Sequence, residues 1–535
     1  MYFESSQQVL SRLAVAMIVR DAEHLIERTL RSVQSIADMI AVVDTGSSDG
    51  TVQLARGFTP NVYEFDWQDD FSAARNHCLE QIRGDWILWL DAGETIEQND
   101  ARLLRAFVDE KADQSRAYML LVKVPPSKAL IAPEQVGRVR LVPHRRDITF
   151  SGRVDERMTE SLLSSGIETE GLPWRIHRGE EDNQPLVKTC KARRNIRLAE
   201  VEIEQHGLHT RWLNCLGEAH ATLGDKTKAA ELFRQSVEAG IKGSTETLEA
   251  YYGLLTSLDG QPRALEVQLA VCLQALESYP LDAQLLCATG GYLQAQQRLD
   301  LASRAYQTAF QYGQVNPETW HLDEIRSIAA VCLSLTLQLQ GQDDDALKVL
   351  EEALQVDGDS LRVRRQLIDL HIKHGRREPA LAQFDLLPAQ TPQREALRSA
   401  VRGACLASQK NWIPALAYLK TGYDNGCRDT ICLRWYSISL LASGDISNAR
   451  PVIDEWFQRE PENTEVQAYR QALESPPEGA PQDATPAPTA TTDPGTESRH
   501  VRVDHGQLPA ETDTPHPSSS GAPLPQPGFE TRSPG

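Results

Sequence analysis

The run Val42-Val43-Asp44-Thr45-Gly46-Ser47-Ser48-Asp49-Gly50-Thr51 decides the fold. Apolar residues end in an acid, a glycine-containing turn follows and Thr51 opens a helical pattern, so the run predicts a buried strand leading into a helix. The same texture recurs on both sides. Apolar runs at Leu13–Val19, Met39–Val43, Trp86–Leu90 and Tyr118–Val124 alternate with helical stretches such as Glu23–Val33 and Ser72–Ile82. Strand–helix alternation from about Leu13 to Lys188 predicts a mostly parallel, doubly wound α/β sheet, whose ligands sit beyond the carboxyl ends of its strands.

From about Lys191 to Leu473 the pattern is helical, and alanines recur in one frame. Ala346, Ala380, Ala415 and Ala449 stand 34, 35 and 34 residues apart. A period of that length resembles tetratricopeptide repeats, in which six or seven stacked helix pairs would bury what one pair cannot. Leu213, Leu216-Gly217, His220, Gly224, Ala229 and Phe233 form the first clear unit. Ala264 marks a weak one, Ala302-Tyr306-Ala309 a third, and Gly444-Asp445, Ala449, Ile453 and Pro461 the last. After Ser475 the composition shifts again, with 13 of the 29 prolines in the final 61 residues, which predicts a disordered tail.

Length and charge narrow the function. At roughly 150 residues per domain, 535 residues allow three or four domains. A net charge of −20 would repel a phosphate backbone, which argues against nucleic-acid binding. No run approaches the roughly 20 apolar residues of a membrane span, and Leu13–Val19 lacks the basic flank and cleavage site of a secretory signal. Nine scattered cysteines, an odd number without a CxxC pair, are expected to be reduced core thiols in a cytoplasmic protein.

Three constellations could carry chemistry. Asp44 at a strand end could accept hydrogen bonds from a base or ribose; equally, Asp44 could shape the turn and Asp49 cap the next helix. Gly84-Asp85-Trp86-Ile87-Leu88-Trp89-Leu90-Asp91-Ala92-Gly93-Glu94 places acids directly after a strand, where they could share a divalent cation. Trp86 and Trp89 lie inside that strand and read as core aromatics. Asp70-Phe71-Ser72-Ala73-Ala74-Arg75-Asn76 supplies a cation and an amide from the intervening helix.

These blocks, together with Met17-Ile18-Val19-Arg20-Asp21, stand in the order and spacing of family 2 glycosyltransferases. The chain resembles the bacterial subgroup in which a GT-A catalytic domain precedes tetratricopeptide repeats; the resemblance covers about residues 12–200. It implies a Rossmann-like GT-A domain at 1–190, an all-α repeat solenoid at 191–474 and a tail at 475–535. The implied activity moves a hexose from a nucleotide-diphosphate sugar, a UDP-sugar foremost, to a protein, peptide or glycan acceptor, with inversion, while the repeats recognise acceptor or partner. Asp44 would hold the base or ribose, Arg75 and Asn76 would support the nucleotide, and Asp91 would begin the DXD motif. The block from Arg140-Leu141-Val142-Pro143 to Val154-Asp155-Glu156 resembles the acceptor-side strand. Glu156 would then be the general base, with Asp155 beside it where the subgroup has histidine. His177 resembles the histidine that completes a site for Mn²⁺ or Mg²⁺ with Asp91. Gly93 interrupts that motif, so either Glu94 takes the missing role, or Asp91 and His177 suffice, or the metal is held weakly or not at all. Gly93 and Asp155 also fit another reading, a degenerate transferase domain that serves as a scaffold.

Overall fold

The computed structural model describes residues 11–124, 134–261, 263–388, 393–461 and 463–474; the tail expected at 475–535 lies outside them. The elements run β1 (Leu13–Val19), α1 (Glu23–Val33), β2 (Met39–Asp44), α2 (Thr51–Arg56), β3 (Val62–Glu64), α3 (Phe71–Gln81), β4 (Trp86–Trp89), β5 (Glu94–Ile96), α4 (Gln98–Glu110), β6 (Arg116–Val124), β7 (Glu134–Pro143), α5 (Thr159–Ser164) and β8 (Glu168–Arg178). Helices follow: α6 (Pro185–His206), α7 (Thr210–Thr222), α8 (Lys226–Ala239), α9 (Thr245–Ser257), α10 (Ala264–Leu276), α11 (Ala283–Ala295) and α12 (Leu299–Tyr312). After a short strand, β9 (His321–Leu322), come α13 (Ile325–Leu339), α14 (Asp343–Val356), α15 (Leu361–Lys373), α16 (Arg377–Asp385), α17 (Arg394–Ser408), α18 (Trp412–Asp424), α19 (Thr430–Ala442), α20 (Ile446–Arg459) and α21 (Thr464–Glu474).

The sheet has the order β3-β2-β1-β4-β7-β6-β8-β5. Its first four strands are parallel; beyond β4 the sheet is mixed, with β7 antiparallel to β4 and β6, and β8 parallel to β6. β1 shows why the sheet is covered on both sides. Leu13, Val15, Met17 and Val19 pack with Ile26 and Leu30 of α1, whereas Ala14 and Ala16 face the layer containing Cys78 and Ile82. Alanines Ala14, Ala16 and Ala41 leave room for α3 to lie close, with Arg75 near the strand ends. Trp86 and Trp89 are buried, as read from the sequence.

Two compact units divide between Thr336 and Leu337. The change from strands to helices near residue 190 therefore falls inside the first unit, which keeps the sheet together with helices α6 to α12. The helical region is not helical throughout: β9 pairs antiparallel with Glu134 and Gln135 of β7.

The repeat frame has a plain packing cause. Ala229, Ala302, Ala346, Ala380, Ala415 and Ala449 are each fully buried. In the first unit Phe233 of α8 lies against Gly217 of α7 and Gly253 of α9, where a Cβ would come within 2.7 and 2.3 Å of its ring. Tyr306 against Gly290 repeats the arrangement. Ala264 does not join the series: it is the first residue of α10, directly after the left-handed Arg263 at φ +56°, and only half-buried.

Candidate active site

Helix α3 organises the site. Asp70 caps it by accepting from Ala73 N at 3.0 Å. The Asn76 amide then holds the backbone of Phe150 in both directions, accepting from its N at 2.8 Å and donating to its O at 3.0 Å. Phe71 N donates to Arg153 O at 3.0 Å. These bonds fix the segment from Phe150 to Glu156 against the helix. Asn76, expected to support the nucleotide, is thus engaged by the protein's own backbone.

Arg75 is 5% exposed and stands at the centre. Its Nε donates to Glu156 Oε1 at 2.5 Å and its Nη2 to Asp91 Oδ1 at 3.0 Å, while its guanidinium lies 4.6 Å from the Trp89 ring and 5.2 Å from that of Phe150. Burial alone would lower the pKa of Arg75; the two carboxylates more than reverse this.

The loop after β4 is held by further arginines. Arg140 Nη2 donates to Asp91 Oδ2 at 3.1 Å and Glu94 Oε1 at 2.8 Å. Arg178 Nη2 donates to the same Glu94 oxygen at 2.9 Å and lies 3.9 Å from Asp91. The other Glu94 oxygen accepts from Asp91 N at 3.0 Å, and the residue is 1% exposed. Burial would raise the Asp91 carboxyl, but Arg75, Arg140 and Arg178 hold it well below the usual carboxylate range.

Of the expected metal ligands, Asp91 and Glu94 lie together but His177 does not join them. Arg178 points to Glu94, so His177, its neighbour in β8, faces the other side of the sheet. There its Nε2 lies 3.6 Å from Glu97. Asp91 and Glu94 are already bound by guanidinium groups. Among the described residues no group of three His, Cys, Asp or Glu side chains could hold a metal ion. Gly93 adopts φ +98°, and a Cβ there would meet Arg28 Nη2 at 3.2 Å and Leu25 at 3.6 Å. A side chain at 93 would therefore face α1. The residues present do not fit Mn²⁺ or Mg²⁺.

Asp155 and Glu156 do not lie in a strand. They belong to a loop closed by the bridge between Ser151 and Arg157, with Asp155 left-handed at φ +50°. The turn sends the two carboxylates to different partners. Asp155 meets Arg157 at 2.7 Å and Arg211 at 3.4 Å. Asp44, 5% exposed, accepts from Gly46 N at 3.1 Å and Ser47 N at 3.0 Å, and Asp49 accepts from Thr51 N at 3.0 Å. In these contacts Asp44 shapes the turn, while Asp49 stands one residue before the N-cap Gly50 of α2 and ties Thr51 N and, at 3.1 Å, Glu23 N together rather than capping the helix.

Arg75, Asp91, Asp155 and Glu156 line one cleft of about 770 Å³. Asp44 ends β2 at the same sheet edge but is not part of that lining. Other walls come from Arg138 and Arg140 of β7, Leu162 and Leu163 of α5, and Trp320. Sequence reading gave no role to Arg138, Arg140 or Arg178. The signal was available: Arg138 and Arg140 sit two apart among Val136, Val139, Leu141 and Val142 of one strand, hence on one face.

Residues 14–116 match the family model described as Glycosyl transferase family 2, and residues 337–403 match one for the tetratricopeptide repeat. The chain therefore carries a family 2 glycosyltransferase domain and tetratricopeptide repeats. A TPR repeat-containing protein of Synechococcus elongatus is 33% identical over 168 residues, 31% of this chain and 40% of that protein. The SPbeta prophage-derived glycosyltransferase SunS of Bacillus subtilis is 25% identical over 236 residues, 42% of this chain and 53% of its own length. The chain thus spans about half the length of these relatives. An uncharacterized glycosyltransferase of Rickettsia prowazekii is 27% identical over 36% of this chain and 73% of its own length. Among solved structures, a tetratricopeptide repeat protein of Parabacteroides merdae aligns with half of this chain and 99% of its own, at 15% identity and a TM-score of 0.39. No helix among the described residues is long and apolar enough to cross a membrane.

Proposed function

We propose that the protein transfers a hexose from a nucleotide-diphosphate sugar, most simply a UDP-sugar, to a protein, peptide or glycan acceptor. One observation carries the reading: Arg75 joins Asp91, which follows β4, to Glu156 on the facing loop, at the wall of a cleft large enough for a nucleotide sugar. Residues 1–190 act as the catalytic domain, and the repeats at 191–474 recognise acceptor or partner. Asp44 at the end of β2 binds the base or ribose once its turn admits the ligand.

Glu156 is the general base in this proposal. Arg75 fixes Oε1, and Oε2 has no hydrogen-bond partner among the described residues. That oxygen takes the acceptor hydroxyl proton as the acceptor oxygen bonds to the anomeric carbon. The bond from that carbon to the diphosphate breaks, the nucleoside diphosphate leaves, and the configuration inverts. Asp155, held by Arg157 and Arg211, positions this loop. None of the nine cysteines forms a disulfide among the described residues, which supports a reducing, cytoplasmic setting.

A panel of nucleotide sugars scored by thermal shift and by sugar release tests the reading. A bound donor at 100 times its Kd stabilises the native state by about 2.7 kcal/mol. The expected result is one donor class that raises the melting temperature and turns over. A scaffold without transferase activity is the second reading, favoured by the ion pairing of Asp91, Glu94, Asp155 and Glu156 alike. It predicts no response to any nucleotide.

A further inference from the structure

We infer that this protein holds the diphosphate of its donor with two guanidinium groups, those of Arg140 and Arg178, where a divalent cation would otherwise sit. The inference rests on the glycosyltransferase reading and deepens it. Its first support is charge: Asp91 and Glu94 carry two negative charges, and Arg140 and Arg178 bring the two positive charges of one divalent ion to the same oxygens. Arg75 lies beside them but is shared with Glu156.

A second support is the shape of the Asp91–Glu94 loop. Position 93, where a carboxylate would complete a cation site, is closed by Arg28, whose Nη2 donates to Gly93 O at 3.0 Å. Gly93 N donates to Thr29 Oγ1 at 2.8 Å, fixing the loop to α1. Arg28 in turn forms a two-point ion pair with Glu181, at 2.5 and 2.9 Å. A carboxylate at position 93 would have to displace this arrangement before it could reach an ion.

Third, Arg140 retains an unused donor. The residue is 6% exposed and lines the cleft, yet its buried Nε has no hydrogen-bond partner among the described residues. A buried donor left unpaired costs free energy that an incoming acceptor oxygen would recover. Phosphate oxygens suit a planar guanidinium because two parallel N–H groups can reach two oxygens at once.

Calorimetric titration of the full chain tests this with UDP, GDP and ADP, each in EDTA and again with Mn²⁺, and with Mn²⁺ alone. One diphosphate is expected to bind with the same affinity, within twofold, in EDTA and in Mn²⁺, while Mn²⁺ alone shows no saturable binding below millimolar concentration. Arg140→Lys and Arg178→Lys should each weaken the diphosphate at least tenfold but leave the matching nucleoside, which lacks phosphate, within twofold. Binding of the diphosphate only when Mn²⁺ is present would overturn the inference and leave the glycosyltransferase reading standing. Equal loss of nucleoside and diphosphate in the lysine variants would overturn it too, marking the arginines as structural. No binding of any nucleotide in either condition would sink both readings.

Discussion

At the scale of single residues the site is a chain of ion pairs with Arg75 as its node. Glu156→Gln keeps the shape of the side chain but removes the proton acceptor, so sugar transfer should fall by roughly 10²- to 10⁴-fold while nucleotide affinity stays the same. Steady-state assays beside calorimetry would show whether the two separate. For Asp91 the sign of the pH effect is fixed by the direction of its shift. A carboxyl depressed in the folded state stabilises fully above its unfolded pKa, about 3.9, and loses that contribution as pH falls through the folded value. The melting-temperature gap between the native protein and Asp91→Asn should therefore be constant near neutrality and shrink only below about pH 4. Gly93→Asp is expected to gain no metal affinity. It forces a side chain into φ +98° against Arg28 and should cost roughly 1–3 kcal/mol, read by thermal melting.

Elements show how much could be read in advance. β1 and α1 follow the sequence pattern to the residue because a seven-residue apolar run and a regular apolar stripe at Ile26, Leu30 and Val33 leave few alternatives. The repeat frame was legible for a similar reason: an alanine at each helix crossing is dictated by local volume. Substituting Gly217 by Ala should destabilise by roughly 1–3 kcal/mol, since the new methyl meets the Phe233 ring. The partners of Asp91 were harder to see. Arg75, Arg140 and Arg178 lie 16, 49 and 87 residues from it, and only strand pairing brings them to one loop. Glu156 and Asp155 were read as strand neighbours because nothing local announces the left-handed turn at Asp155. Asp282, which caps α11, is another group that only the fold explains. Burial pushes its carboxyl up to about 6, although it accepts from Tyr252 and Leu285 N. A raised carboxyl favours the folded state below its unfolded pKa, and this contribution is lost as pH rises through about 6. Asp282→Asn should flatten the stability profile between about pH 4 and 6, which melts across that window would reveal.

For the whole molecule, the two compact units predict a calorimetric melt with two transitions, of which a bound nucleotide shifts only the one belonging to the sheet-containing unit. A donor that moved both would contradict that division. The family match ends at residue 116, where β6 begins, so Arg140 of β7, Arg178 of β8 and Glu156 on the loop after β7 all lie beyond it. The domain class was legible from motifs within the matched region; the arrangement that bears on metal use arises beyond it. β9 extends the point to transplantation. A strand donated to β7 by residues 321 and 322 means that the sheet-bearing domain cannot be lifted out at the end of β8. Any chimera joining this sheet to a foreign repeat array would have to carry the native chain through Leu322, or leave the outer rim of β7 unseamed.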